Sequence, residues 1–456
     1  MLQRLYLRKQ IGWIGAAAML TILGSSTAPV LAGAQVEVKA AIDRSVLAAG
    51  QKQSAFVRIA VTPARRTGTH RALMNIALVI DRSGSMSSQA RMENARRAAQ
   101  MAVDRMGRDD ILSVISYDDR FAVDVPATKV LDKSEIKARI ASLTPRGSTA
   151  IHAALLAAAN EVRKFQSKDR VNRIVLISDG MANVGPSKPA DFVSLGRELA
   201  SEGITVSTIG LGNGYNEDLM AGLARSADGG HVFVQESADL AGFLAREFDD
   251  AAGTVGQDAE IIIHVKDGAR PLKALGREAT VEGNRIVYRV GTLIGGVEQV
   301  LLAEIEVEAA PADATRQLVE VEVAFNDGLS GKRTTVTAAA TVNFDADAAK
   351  VEKSADPTVL KDVATLQSRA ARQEAVKLRD QGQIEAARLK FESNAAQLRA
   401  FLGKSKDGAD YQPLLGELKA SEAAATAEAQ SQEGWSKARK SQRATDGNSF
   451  GASTRY

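Results

Sequence analysis

The chain has 456 residues, of which 45% are hydrophobic and 25% charged, so we expect two to four domains with ordinary buried cores. Its net charge of +3 resides in the first 34 residues, and the other 55 basic residues balance 55 acidic ones, which argues against a nucleic-acid partner. The absence of cysteine excludes disulfides and thiolate metal sites.

Residues 1–34 have the pattern of a secretory signal peptide. A basic start (MLQRLYLRK) precedes an apolar stretch (IGWIGAAAMLTILG), and Ala32-Gly33-Ala34 fits a cleavage site after Ala34. The alternative is an uncleaved membrane anchor, although the apolar stretch is shorter than the roughly 20 residues that a span needs. We therefore expect an exported protein of the periplasm, cell surface or extracellular space, with membrane contact only if this segment is retained.

Residues 35–70 contain two alternating runs, VEVKAAI and AFVRIAV, that predict β-strands. Two strands are too few to form a stable sheet alone. We expect them to join a sheet formed later in the chain.

Residues 71–255 predict a doubly wound α/β domain with a mostly parallel sheet. Short apolar runs such as IALVID, DILSVISY and RIVLISD alternate with longer segments of helical period. Strands that are apolar on both faces belong to sheets covered by helices on both sides, joined by right-handed crossovers.

Runs of alternating apolar and polar residues, with no segment of helical period between them, return over residues 256–348, for example AEIIIHVKD, VLLAEIEVEA and LVEVEVAFND. This pattern predicts an antiparallel β-sandwich. If the early strands join it, the α/β domain is an insertion in that sandwich.

Residues 356–420 predict a helical hairpin, because DQGQ interrupts two segments of helical period. Apolar residues of the second segment recur at spacings of three and four: Ile384, Ala387, Phe391, Ala395, Leu398 and Leu402. The charged face of the hairpin is interpreted as solvated, with docking of a partner, for instance at EGWSKARKSQR, as the alternative. Residues 421–456 are rich in Ala, Ser, Gln and Lys and predict a disordered tail.

Three junctions of the α/β domain carry oxygen-bearing side chains. Asp81, Ser83 and Ser85 follow the first apolar run in DRSGSM, Thr149 precedes a helix in PRGST, and Asp179 follows a strand in SDG. In an open α/β sheet, ligands bind at the carboxyl ends of the strands, where these loops converge. Two carboxylates and three hydroxyls without His or Cys suit Mg²⁺ or Mn²⁺ better than zinc.

Two simpler interpretations compete with a metal site. Ser and Asp after a strand are common helix caps, so DxSxS alone is weak evidence. An anion-binding turn is disfavoured, because Asp81 would repel a phosphate and no Gly-rich loop ending in Lys-Ser or Lys-Thr follows.

In this order the motifs resemble the von Willebrand factor A domain, over about residues 73–254. The metal-ion-dependent adhesion site of that family has the pattern Asp-x-Ser-x-Ser, then Thr, then Asp. The resemblance implies that Ser83, Ser85 and Thr149 ligate the ion directly, and that Asp81 and Asp179 hold it directly or through water. Flanking sandwich strands and a helical tail also resemble exported bacterial members.

The resemblance implies a non-enzymatic role in adhesion or assembly, in which the ion, usually Mg²⁺, binds a Glu or Asp side chain of a protein partner. Arg82, at a variable position, is expected to bias the rim toward acidic partners. A metal-dependent hydrolase is one alternative, with Asp118 or Asp119 as the base, although loop capping suits both residues better. A scaffold stabilised by the ion is another. His152 follows Thr149 closely but is interpreted as a structural histidine.

Overall fold

The computed structural model describes residues 36–65, 71–212, 214–404 and 411–426, together with Ser431, Trp435 and Arg439. The expected signal peptide over residues 1–34 lies outside the described residues. The first three strands are β1 (Val36–Ile42), β2 (Val46–Ala48) and β3 (Gln53–Pro63).

An α/β domain follows β3. Its strands are β4 (Leu73–Asp81), β5 (Ile111–Tyr117), β6 (Phe121–Lys129), β7 (Arg170–Ser178), β8 (Thr205–Leu211) and β9 (His231–Val234). Its α-helices are α1 (Arg91–Arg105), α2 (Lys133–Ala141), α3 (Ile151–Arg163), α4 (Pro189–Ser201), α5 (Glu217–Ser226) and α6 (Leu240–Ala252), with 3₁₀ turns at Gly84–Ser87 and Ser237–Asp239.

The six strands form one sheet in the order β6-β5-β4-β7-β8-β9, parallel except for β6 at one edge. Ile76 and Leu78 of β4 pack on the face covered by α1, α2 and α6, whereas Ala77 and Val79 pack on the face covered by α3, α4 and α5. Burial on both faces explains why β4 and β5 are mostly apolar and buried along nearly their whole length, and each large aliphatic side chain so buried contributes about 1.5–3 kcal/mol. The doubly wound domain is confirmed.

The second half of the sandwich begins directly after α6. Its strands are β10 (Thr254–Val265), β11 (Ala269–Leu275), β12 (Ala279–Glu282), β13 (Arg285–Ile294), β14 (Gln299–Val307), β15 (Thr315–Asp327) and β16 (Arg333–Asp345). One sheet has the order β1-β3-β14-β11 and the other β12-β13-β10-β15-β16-β2. Side chains from both sheets form a single core.

The early strands complete this sandwich, as expected. β3 pairs antiparallel with β14 from Val61 opposite Gln299 to Gln53 opposite Val307. The α/β domain is therefore an insertion between β3 and β10. One pairing departs from the antiparallel expectation, because the short β2 runs parallel to the end of β16.

The C-terminal part of the described chain is helical: α7 (Ala348–Lys353), α8 (Pro357–Asp380), α9 (Ile384–Lys404) and α10 (Gln412–Ala424). Val359 and Val363 of α8 pack on Leu275 and Leu302 of the sandwich, which anchors the helical region there. Among the helices that the structure describes, none combines the length and apolar character needed to cross a bilayer.

Helix α10 corrects two expectations. The expected hairpin over residues 356–420 consists of three helices, α8, α9 and α10. The last of them continues to Ala424, so the expectation of a disordered tail from residue 421 is wrong for its first residues. The physical reason is burial: Leu414 and Ala424 are buried, and Glu417 forms ion pairs with Arg369 and Arg372 of α8. Most of the expected tail, from residue 427 onward, lies outside the described residues.

Two described residues beyond α10 contact the rest of the chain. Trp435 packs edge-on against Phe391, and the Arg379 guanidinium lies 5.3 Å from its ring centroid. Arg439 bridges α5 and the end of α8 through three carboxylates. These contacts are intramolecular, whereas the sequence left open a partner for this segment.

Candidate metal centre

The sheet register brings the predicted residues to one edge. Asp81 is the last residue of β4 and lies opposite Tyr117 in β5, while Ile80 lies opposite Ile177 in β7. Asp118 and Asp179, which follow these neighbouring strands, therefore emerge beside Asp81 at the carboxyl edge of the sheet.

Asp81 is completely buried and held on both oxygens. Its Oδ1 accepts a hydrogen bond from the Ser83 backbone N–H at 2.8 Å, and its Oδ2 accepts one from Ser178 Oγ at 2.7 Å. Burial raises the pKa of Asp81 to about 6, and the negative charge of Asp179 adds to this effect, against the opposing hydrogen bonds from the two serines. A nearby cation would stabilise the ionised form of this carboxylate.

The serines continue from Asp81 toward Asp179. Ser83 Oγ lies 3.1 Å from Ser85 Oγ, and Ser85 Oγ donates to Asp179 Oδ1 at 2.7 Å. The 3₁₀ turn at Gly84–Ser87 presents Ser85 at the surface, whereas Ser83 is buried. Four of the five predicted residues thus form one continuous chain of polar contacts.

Thr149, the fifth predicted residue, approaches from the loop before α3. Its backbone N–H donates to Asn183 Oδ1 at 2.8 Å, and its carbonyl accepts from the Asn183 N–H, so it is attached to the loop that follows Asp179. A Cβ placed on Gly180 would lie 3.3 Å from Thr149 Oγ1 and 3.7 Å from Asp81 Oδ2. The missing side chain of Gly180 leaves room beside both oxygens.

The donor set fits a small hard cation. It consists of two buried carboxylates and three hydroxyls, and no group of three or more His, Cys, Asp or Glu residues suited to a metal occurs in the part of the chain that the structure describes. Mg²⁺ and Mn²⁺ accept all-oxygen coordination with few carboxylates, whereas zinc prefers His and Cys. The residues present therefore fit the ion that the motif predicts.

Arg91 is a site residue that sequence reasoning missed. Its Nη1 lies 2.7 Å from Asp179 Oδ2, on the oxygen that Ser85 does not use. The only sequence signal was a basic residue at the start of the helix after DRSGSM. The periodicity of a helix does not predict that this side chain reaches back to the sheet edge.

Asp118 does not face the candidate site as a free base. Its Oδ2 lies 2.9 Å from Arg82 Nη2 and 2.7 Å from Arg146 Nε. Burial by itself would raise the pKa of Asp118, but the Arg146 hydrogen bond and the two positive charges hold it below its usual value.

This pairing corrects the expectation for Arg82. Only 11% of the Arg82 side chain is exposed, so its charge is used by Asp118 rather than presented at the rim, whereas 64% of the Arg146 side chain is exposed. Asp119 accepts a hydrogen bond from the Ser148 N–H, which is a loop-capping contact. His152 packs edge-on against Phe192, which is the contact of a structural histidine.

Comparisons with known proteins agree with this fold. The model of the von Willebrand factor type A domain family matches residues 75–246. The solved structure of a von Willebrand factor type A protein from Catenulispora acidiphila superposes with a TM-score of 0.67 over 86% of this chain and 98% of that one, at 16% sequence identity, which shows a shared fold.

Two curated relatives show similarity at the sequence level. An uncharacterised protein of Synechocystis is 26% identical over 300 residues, covering 64% of this chain and 70% of that protein. Human inter-alpha-trypsin inhibitor heavy chain H3 is 26% identical over 180 residues, which are 36% of this chain and 20% of the heavy chain. The chain therefore contains a von Willebrand factor type A domain, inserted between the strands of its β-sandwich.

Proposed function

We propose that the α/β domain binds Mg²⁺, or Mn²⁺, at this sheet edge and through the ion captures a carboxylate of a protein partner. The observation that carries the proposal is the contact chain from Asp81 through Ser83 and Ser85 to Asp179, with Thr149 beside the small gap that Gly180 leaves by lacking a side chain. The hydroxyls of Ser83, Ser85 and Thr149 would ligate the ion, and the two carboxylates would hold it directly or through water.

The chain's own residues prepare the site for this role. Ser178 fixes the orientation of the buried Asp81, and Asn183 fixes the backbone of Thr149, so hydrogen bonds from outside the donor set hold two of its members in place. A bound dication supplies positive charge and an exchangeable ligand position, which a Glu or Asp side chain of a partner completes.

The contacts of the two neighbouring carboxylates, Asp118 and Asp119, favour binding over catalysis. A metal-dependent hydrolase needs a general base beside the activated water. Asp118 is already paired with two arginines, and Asp119 uses one carboxylate oxygen to accept the Ser148 N–H, which is the contact of a loop cap. We therefore propose an interaction module rather than an enzyme.

We further propose that the protein acts outside the cytoplasm, at the cell surface, in the periplasm or in the medium. The support is the basic, apolar and small-residue order of residues 1–34. Recovery of a mature protein that begins at Gln35 would agree with this, whereas a retained Met1 in a cytoplasmic fraction would contradict it.

The metal claim is tested by titrating MgCl₂ into the protein by isothermal calorimetry. Thr149→Val removes one hydroxyl while conserving side-chain volume, and we expect it to weaken Mg²⁺ binding by at least about tenfold, or about 1.4 kcal/mol. The matched control is Ser87→Ala, because Ser87 lies in the same loop as Ser83 and Ser85 but its hydroxyl donates to Gly84 O. Absence of Mg²⁺ binding by the unmodified protein would refute the proposal.

A second measurement separates the three functional alternatives. Cross-linking pull-downs with and without a chelator should lose the partner when the ion is removed. If chelation lowers the melting temperature but leaves partner binding unchanged, the ion only stabilises a scaffold. Turnover of a phosphoester or peptide that Mg²⁺ restores after chelation would instead indicate a hydrolase.

A further inference from the structure

Asp179 has both carboxylate oxygens occupied, by groups of opposite character. Oδ1 accepts from Ser85 Oγ, a predicted metal ligand, whereas Oδ2 accepts from the Arg91 guanidinium at 2.7 Å. The Asp179 side chain is fully buried, and only 15% of the Arg91 side chain is exposed. The guanidinium is therefore an internal cation in direct contact with the candidate metal site.

The backbone directly before α1 has an unusual conformation that places Arg91 near Asp179. Gln89 and Ala90 both have φ of 53°, in the left-handed region that costs a non-glycine residue about 1–2 kcal/mol. Arg91 follows them as the first residue of α1, and its Nη2 donates to Gln89 Oε1 at 2.7 Å. Two successive strained residues persist only where surrounding contacts over-determine them, and such strain concentrates at functional sites.

The loop after β8 also leaves room for the Arg91 guanidinium. Gly212, in the loop after β8, has φ of +63°, and a Cβ there would lie 2.9 Å from Arg91 Nη2. A side chain at this position would displace the arginine from Asp179. The loop after β4 thus positions the Arg91 guanidinium, and the loop after β8 leaves room for it beside Asp179.

The charges of the site can be counted from these contacts. Asp81 and Asp179 supply two negative charges and Arg91 one positive charge, so the ionised set carries −1. Beside it, Arg82 and Arg146 both pair with Asp118, and with the charge of the neighbouring Asp119 this second group sums to zero. A dication at the set would leave it at +1, which one further carboxylate neutralises.

We propose that Arg91 is a built-in counter-ion that weakens divalent-cation binding by the free domain and leaves the loaded site one carboxylate short of neutrality. This inference rests on the proposed function, since it concerns how the same site distinguishes free from partner-bound states. Arg91 is a positioning residue: it orients Asp179 with Oδ1 toward the serines while offsetting part of the charge that attracts the ion. A partner's Glu or Asp then restores that charge, so ion and partner bind cooperatively.

The test is calorimetric titration of MgCl₂ into the full chain and its Arg91 variants. We expect Arg91→Gln to bind Mg²⁺ at least about tenfold more tightly than the unmodified protein, because the repelling charge is gone. Arg91→Lys keeps the charge and is expected to stay within about threefold. The matched control is Arg97→Gln, which removes an exposed charge from the same helix, where Arg97 contacts Asn94.

Thermal unfolding adds a readout of the metal-free state. In EDTA, Arg91→Gln should melt at a lower temperature than the unmodified protein, because Asp179 keeps a buried charge without its partner. Added Mg²⁺ should then raise the melting temperature more in Arg91→Gln than in the unmodified protein. If Arg91→Gln does not fold, Arg91→Met, which retains more of the apolar stem, takes its place.

The outcomes separate this inference from the proposed function. Mg²⁺ binding by the unmodified protein with unchanged or weaker binding by Arg91→Gln overturns the inference alone. Absence of Mg²⁺ binding by the unmodified protein overturns the proposed function and this inference with it, whatever Arg91→Gln does. Tighter binding by Arg91→Gln together with unchanged binding by Arg97→Gln supports the inference.

Discussion

At the scale of one residue, burial determines the protonation state of His231. It begins the edge strand β9 and is fully buried, with Nδ1 at 2.8 Å from Thr208 Oγ1 and Nε2 at 3.2 Å from the Tyr215 hydroxyl. Burial lowers the pKa of His231 to about 4, against the Thr208 hydrogen bond, which favours the charged form. The imidazole is therefore neutral in the folded protein at every physiological pH.

This burial predicts a pH-dependent loss of stability. Below pH 6.5 the unfolded chain binds a proton at His231 that the folded chain refuses until about pH 4, so stability falls across that window as pH decreases. The contribution is on the order of 3 kcal/mol. Chemical denaturation from pH 7 to pH 4 should show a shallower decrease for His231→Gln than for the unmodified protein.

The control for this effect is His264→Gln, since His264 is partly exposed on the sandwich. That variant also replaces an imidazole by an amide, so it controls for the change of residue type. An unaltered profile for His231→Gln would show that other groups account for the acid sensitivity.

At the scale of elements, Asn394 explains why three helices pack together. Its Nδ2 donates to Ser368 Oγ of α8 at 2.9 Å and to Ser421 Oγ of α10 at 2.8 Å, and all three side chains are buried. Together with the buried Arg372–Glu417 pair between α8 and α10, these hydrogen bonds form a polar network that specifies which helices meet.

Replacing Asn394 with Ala should therefore loosen the helical region. The substitution leaves two buried hydroxyls without their donor, and we expect a loss of about 2–3 kcal/mol. Hydrogen exchange of α10 amides measures this locally, with Gln397→Ala, an exposed position of the same helix, as the control. Equal protection of α10 in both variants would contradict the role given to Asn394.

At the scale of the whole molecule, Arg439 joins the helical region to the von Willebrand factor A domain. Its guanidinium forms ion pairs with Glu217 at 2.5 Å and Asp218 at 2.6 Å, in the first turn of α5, and with Asp380 at 2.8 Å, at the end of α8. Helix α5 follows β8 at the same sheet edge as the candidate metal centre. Arg439 thus contacts the inserted domain at the helix that follows β8.

Arg439→Gln should weaken this connection. The Arg439 side chain is 17% exposed, and removing it leaves three carboxylates close together without their common cation. We expect faster hydrogen exchange in the first turn of α5 and earlier proteolysis near residue 380. Arg399→Gln, which breaks an exposed pair with Glu422 inside the helical region, should leave α5 unchanged.

Much of the fold was predictable because apolar periodicity reports burial directly. The apolar runs of β4, β5 and β7 required a sheet covered on both faces, and the need of β1 and β3 for partners implied the inserted arrangement. Helix α10 escaped prediction because its sequence is rich in Ala and charged residues. Its burial depends on Glu417 meeting Arg369 and Arg372, a pairing between distant residues.

The sequence by itself determined which oxygen-bearing residues stand at the strand ends, from Asp81 to Asp179, since motif spacing and the direction of parallel strands place them at one edge. Only the tertiary structure decided which charges compensate them. Arg82 turns to Asp118, whereas Arg91 reaches Asp179, and neither choice follows from periodicity. The physical reason is that a strand end is a local property, whereas the partner of a long cationic side chain depends on which loops surround it in three dimensions.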